Sequence, residues 1–243
     1  MFQNILNNTA HRDSLLPRGS WVMMQRWEHL LFLHQRMPQQ VLRSYLPPGL
    51  ELDTYDGDAW LSIIPFRVSK VRFRGLPSFP FVTSFLEVNV RTYVKRRGRR
   101  GVYFFSLDAD NLPVVIGAGM ATLPYYYANI SMNMQDGAIS FYSERKGKKS
   151  GVLRALYKPD GERFYPEKGG LESWLLERYF LWTYKFGKLY RCGLHHNKWA
   201  IQKAQTDIKQ QRLTPWDGSM EVDTLAHYTD SKTALIWMIR KEG

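Results

Sequence analysis

The chain has 243 residues, 44% of them hydrophobic and 23% charged, which is enough for one sizeable core and excludes a chain that is disordered throughout. Its formal net charge is +12. That balance favours anionic partners, but no recognised module organises the charge, so nucleic acid is not the expected partner.

Cys192 is the only cysteine, which excludes an internal disulfide, and no Cys/His spacing suits a structural zinc, so no metal is expected. No apolar run approaches the roughly 20 residues of a spanning helix. The first residues, Met1 to Asn8, lack the basic start and apolar stretch of a signal peptide. The expectation is a single cytoplasmic domain over residues 1–243 without membrane contact. Leu16-Pro17-Arg18-Gly19-Ser20 looks like a protease-site cloning scar, but no tag precedes it and it reads as native chain.

Arg26 to Arg36 is apolar all round and reads as a strand or a short helix. Pro38 to Tyr45 reads as a helix, with Pro38 in its first turn and Val41, Leu42 and Tyr45 on one face. Extended segments follow at Ala59 to Val68, Phe81 to Val94, Gly101 to Asp108, Val114 to Gly117, Ala138 to Ser143 and Gly151 to Tyr157. Gly170 to Tyr184 shows helical spacing in Leu171, Trp174, Leu175 and Trp182. Leu189 to His196 reads as a strand. Trp199 to Gln211 reads as a helix on Ile201, Ala204 and Ile208, and Leu235 to Arg240 as a closing strand. Turn pairs such as Asp56-Gly57, Arg97-Gly98 and Asp136-Gly137 separate these runs. The fold class expected is α+β, mostly β, as an antiparallel barrel or sandwich with a few peripheral helices.

The most informative stretch is Phe85 to Val94. Alternation along a strand puts Glu87, Asn89, Arg91 and Tyr93 on one face and Leu86, Val88, Val90, Thr92 and Val94 on the other. The simplest reading of an acid, an amide and a base in a row is the wet side of a strand. Against it, the next strand, Val102 to Leu107, is largely apolar or aromatic on both faces, so both strands should be covered. A covered Glu87 and Arg91 must pair or bind something, which leaves two readings: a polar pocket or a structural ion pair. Gly117 to Ala128 has glycines without a surrounding βαβ unit, so it is no dinucleotide loop and no cofactor is expected. Tyr125, Tyr126 and Tyr127 alternate in direction, and at least one needs a buried partner for its hydroxyl. Arg191 and His195 share a strand face as secondary candidates beside Tyr126. His195 and His196 point to opposite faces and would not easily share a metal. Cys192 shows no signal for a lowered pKa.

Leu46 to Gly57, Val88 to Val94, Gly101 to Ala109, Leu123-Pro124-Tyr125-Tyr126 and Leu176-Glu177-Arg178-Tyr179 together resemble the bacterial YqjF-like family, a domain of unknown function, over nearly the whole chain. More remotely the layout is similar to the acetoacetate decarboxylase superfamily. That resemblance implies a cone-like antiparallel β-barrel with a ligand cavity. Its enzymes form a Schiff base on a lysine in a segment reading Gly-Arg-Glu, then Gly-x-Pro-Lys-Lys. Pro124 matches the proline, but Tyr125 and Tyr126 stand in place of the lysines, and Ala118 and Gly119 in place of the Arg and Glu. Without the amine no imine forms. Glu87 falls roughly where the superfamily places a carboxylate near that lysine. The resemblance thus implies a cavity lined by Glu87, Asn89, Arg91 and Tyr125.

Three functions follow as expectations. The first is a small-molecule pocket for an organic acid or carbonyl compound, with Arg91 on an oxygen and Glu87 as acid, base or orienting group. The second is a binding or scaffold protein that uses the basic hairpins Arg96 to Arg100 and Lys146 to Lys149 on an acidic partner or nucleic acid. The third is a homo-oligomer in which Glu87 and Arg91 only hold the barrel.

Overall fold

The computed structural model describes residues 2–76, 84–147, 149–216 and 224–242. After a short helix α1 (Phe2–Asn7), the long strand β1 (Met23–Met37) leads through α2 (Gln39–Ser44) and β2 (Glu51–Leu52) to β3 (Ala59–Phe73). The pair β4 (Phe85–Arg96) and β5 (Arg99–Ala109) carries the polar face of interest. Then come α3 (Leu112–Met120), β6 (Tyr125–Tyr127), β7 (Asn129–Gln135), β8 (Ala138–Arg145) and β9 (Gly151–Phe164). The chain ends with α4 (Leu171–Leu176), β10 (Phe180–Lys185), β11 (Lys188–His195), β12 (Ile201–Arg212), β13 (Leu225–Ile236) and β14 (Arg240–Lys241).

Among the described residues these strands form one sheet in the order β14-β11-β10-β5-β4-β3-β1-β13-β12-β9-β8-β7, with β2 on β4 and β6 on β5. β11 also pairs with β13 through Leu194↔Ile236 and His195↔Leu235. The run from β11 round to β13 therefore returns on itself. The fold is mostly β, as read from the sequence, but less regular than an antiparallel cone. Two pairings, β10 with β5 and β6 with β5, are parallel. The β1–β3 register breaks between Glu28 and Leu33, and the β4–β5 register between Val90 and Arg91.

Alternation along the central strands feeds two cores, one on each face. Leu31 and Leu33 of β1, Leu61 and Ile63 of β3, and Val88 and Val90 of β4 pack with Phe141, Leu153 and Tyr157 of the outlying strands. Leu30, Phe32, Trp60, Ile64, Phe66, Phe85 and Tyr93 point the other way and pack with Trp174, Leu175 and Trp199. Glu87, Asn89 and Arg91 sit at alternate positions between Phe85 and Tyr93, so they share this second face.

Several sequence expectations hold. Asp136-Gly137 turns β7 into β8, both residues with positive φ. Pro17 of the Leu16–Ser20 segment packs against Gly193, where an added Cβ would lie 2.3 Å from its ring, and the Gly19 carbonyl accepts from Trp237 Nε1. The segment is thus an integral part of the fold.

Of the two readings for Arg26 to Arg36, strand or short helix, the strand holds: it lies inside β1. Others are corrected. Val114 to Gly117 lies inside α3, because Asn111 caps the helix through the Val114 N–H and Pro113 fits its first turn. Gly170 to Tyr184 is helical only at Leu171–Leu176 and then becomes β10, where the neighbouring strand edges take its backbone bonds. Trp199 to Gln211 is the strand β12, not a helix, paired along its length with β9. The strand expected at Phe81 to Val94 begins at Phe85, and residues 81–83 lie outside the described part. No described helix is long and apolar enough to cross a membrane.

Candidate functional site

The register Asn89↔Leu107↔Tyr125 across β4, β5 and β6 puts Tyr125 on the same face as Asn89. From there the Tyr125 hydroxyl donates to Glu87 Oε2 at 2.7 Å. Glu87 is 4% exposed and Asn89 6%, so this face is no wet side of a strand. Burial pushes the Glu87 carboxyl up to about 7, against the opposing effect of hydrogen bonds from Tyr125 and Asn89. Burial and the adjacent carboxylate push the Tyr125 hydroxyl well above its ordinary value. The pair is thus a neutral-range acid held by a phenol that stays protonated.

Arg91 does not pair with Glu87. Among the described residues it makes no ion pair, and its guanidinium carbon lies 5.9 Å from the centre of the Tyr93 ring. Beyond it runs a buried relay. The Tyr93 hydroxyl is 2.5 Å from Ser62 Oγ, and Ser62 Oγ is 2.7 Å from His34 Nδ1. The His34 and His227 rings are 6.0 Å apart. Burial lowers His34 far below the ordinary imidazole range and takes His227 to about 4, so both are neutral at pH 7. Buried polar atoms on this face without a hydrogen-bond partner among the described residues include Asn89 Oδ1, Arg91 Nε, His34 Nε2 and His227 Nδ1.

The structure separates the other candidates from this site. Tyr126 follows Asp108 and Val88 onto the opposite face, under the Arg145 guanidinium at 4.5 Å and with its hydroxyl 2.9 Å from Lys149 Nζ. Arg145 forms a buried ion pair with Asp108 at 2.9 Å. Arg191 pairs with Glu242 at 2.9 Å near the chain end. His195 anchors the N-terminal segment, with Nε2 2.7 Å from the Ile5 carbonyl and Nδ1 3.0 Å from Arg12 Nη1. Burial pushes the Cys192 thiol up to about 12, which makes it a poor nucleophile. The basic turn is largely matched by neighbours: Lys95 with Glu51, Arg96 with the Gly49 carbonyl, Arg99 with Glu242 and Arg100 with Asp53.

His34, Ser62 and His227 were missed in the sequence because they come from three strands far apart in the chain. Glu177 and Arg178 stood within a quoted run without a role. Here Glu177 accepts from the Tyr179 hydroxyl and the Trp199 N–H, and Arg178 donates to Asp53 at 2.6 Å.

The profile of a family described as an uncharacterized conserved protein, DUF2071, matches residues 24–233. The chain is similar to an uncharacterized protein YqjF of Bacillus subtilis strain 168, 41% identical over 229 residues that make up 93% of this chain and 95% of that one. Among solved structures it is similar to an acetoacetate decarboxylase-like enzyme of Sphingomonas wittichii RW1 (TM-score 0.63, 15% identity, 95% and 98% of the two chains). It is also similar to the acetoacetate decarboxylase of Legionella pneumophila (TM-score 0.64, 11% identity, 98% and 95%). At these identities the likeness is one of fold.

Proposed function

The chain belongs to the DUF2071 family, and from that premise we propose that it binds a small organic acid or carbonyl compound on the Glu87 face, inside the ring of strands. The observation that carries this reading is that Asn89 Oδ1, Arg91 Nε, His34 Nε2 and His227 Nδ1 share one face of the sheet, buried and without a hydrogen-bond partner among the described residues. A buried polar atom without a partner costs about 1–3 kcal/mol, and several together call for a ligand or ordered water. Arg91 and Tyr125 keep accessible surface yet carry the pKa shifts of enclosed groups, a combination that supports an internal cavity.

Charge selects the ligand class. Arg91 is a cation without an ion pair among the described residues, and the two histidines are neutral, so an anionic or strongly polarised oxygen is what this face lacks. Glu87, poised near neutrality and held by Tyr125, is suited to give or take one proton at the bound molecule. Imine chemistry does not carry over from the fold relatives, because Tyr125 stands where the decarboxylase motif has its lysine.

The rival use of the basic hairpins on an acidic partner is less supported, since Lys95, Arg96, Arg99 and Arg100 of the β4–β5 turn already meet carboxylates or a carbonyl. Crystals soaked with short 2-oxo and 3-oxo acids test the proposal. Density is expected against Arg91 and Asn89. Bound acid found only elsewhere, or none at saturating concentration, removes the reading.

A further inference from the structure

A second constellation lies away from the Glu87 face. His11 of the N-terminal segment, Glu177 just after α4 and His196 just after β11 bring one potential ligand atom each to within 4.8 Å of one another. Their hydrogen bonds already fix the tautomers. His11 Nε2 lies 2.9 Å from the His196 carbonyl oxygen. A carbonyl only accepts, so Nε2 carries the proton and Nδ1 keeps its lone pair. That Nδ1 is buried and has no hydrogen-bond partner among the described residues. His196 Nδ1 lies 2.9 Å from the Asn197 carbonyl, so the same logic leaves its Nε2 lone pair free.

Glu177 is oriented as firmly. One oxygen accepts from the Trp199 N–H at 3.0 Å and the other from the Tyr179 hydroxyl. This is the outer-shell arrangement of protein metal sites, in which each ligating imidazole donates its other N–H to a carbonyl and the carboxylate is itself hydrogen-bonded. Two cations face the cluster, and each has its own hydrogen-bond partner outside it: Arg12 stacks on the Tyr179 ring at 3.9 Å and bonds to His195, and Lys232 donates to the Lys198 carbonyl at 2.7 Å.

We propose that His11, Glu177 and His196 bind one divalent transition-metal ion, of the Zn²⁺ or Co²⁺ type, through two imidazoles and one carboxylate. Imidazole with carboxylate suits such ions and not Mg²⁺ or Ca²⁺. Ligand atoms around a bound ion sit closer together than 4.8 Å, so binding draws the N-terminal segment inward by small side-chain rotations. His11 and Glu177 also line a cleft of about 420 Å³ shared with Asp56, Arg100 and Arg178. The remaining coordination positions therefore open towards a space that water or a small anion can enter.

The test uses the full chain, freed of metal by a chelator and titrated with Co²⁺ at neutral pH. One equivalent should bind, with visible absorption bands of low-symmetry Co²⁺, and Zn²⁺ should displace it. His11→Ala removes a half-buried ligand from a peripheral segment. It should weaken binding by roughly tenfold or more while leaving the metal-free melting curve in place. If His11→Ala does not fold, Glu177→Gln, which keeps the side chain's shape, is judged by the same weakening. Failure of the wild-type chain to bind one equivalent, or binding unchanged in the folded variant, overturns the site.

Discussion

The Tyr125 hydroxyl donates to Glu87 Oε2 at 2.7 Å and ties β6 to β4 across β5. The bond joins a phenol that stays protonated to a carboxyl that burial raises to about 7.

Stability should report that carboxyl. The folded protein keeps a proton on Glu87 up to about pH 7, whereas the unfolded chain releases it near its ordinary value of 4.5. The contribution is therefore fully present below about pH 4.5 and is lost as pH rises to about 7, a change of about 3 kcal/mol. Glu87→Gln mimics the protonated form. Denaturant unfolding should show the variant gaining on wild type as pH rises from about 4.5 to about 7. A difference that does not change with pH contradicts this.

Tyr125→Phe removes a bond that favours the ionised form, so it should move the Glu87 pKa further above about 7. Carbon-13 NMR of the labelled carboxyl reads the shift. A lowered pKa would show that Tyr125 acts otherwise.

At the N-terminal seam, Gly193 admits Pro17 because it lacks a Cβ. Gly193→Ala should cost about 1–3 kcal/mol by overpacking and loosen residues 14–20 to limited proteolysis. Pro17→Ala in the same chain should restore part of the loss. A Gly193→Ala protein that melts and digests like wild type rejects the packing argument.

The buried pair of Arg178 and Asp53, at 2.6 Å, holds α4 against the strand ring. Asp53→Ala leaves Arg178 enclosed beside Trp174 and Tyr93 and should destabilise by about 3–5 kcal/mol. Thermal melts of Asp53→Ala and of Asp53→Ala/Arg178→Met separate the lost pair from the stranded charge. The double variant should be the more stable of the two.

The β4 face was legible because alternation is a local property: Glu87, Asn89 and Arg91 read as one face, and they are one. Their pairing was not, since Glu87 bonds to Tyr125 and leaves Arg91 aside. β12 was misread because Ile201, Ala204 and Ile208 mimic helical spacing. Register breaks near Ile201 and after Ile208 disturb its alternation, and much of the strand is exposed. In α3 the β-branched Val114, Val115 and Ile116 suggested a strand, while the decisive signal was the Asn111 cap. His11, Glu177 and His196 meet only through the closure of β11 on β13 and the docking of the N-terminal segment, which no local pattern reveals.

The most direct measurement is calorimetric titration of wild type and Arg91→Met with the same set of short oxo acids at about pH 6 and about pH 8. At least one acid should bind wild type, more tightly at the lower pH where Glu87 is protonated. Arg91→Met should lose that binding while folding as stably as wild type, because it removes a cation that makes no ion pair among the described residues. No binding by any acid, or equal binding by the two proteins, contradicts the account.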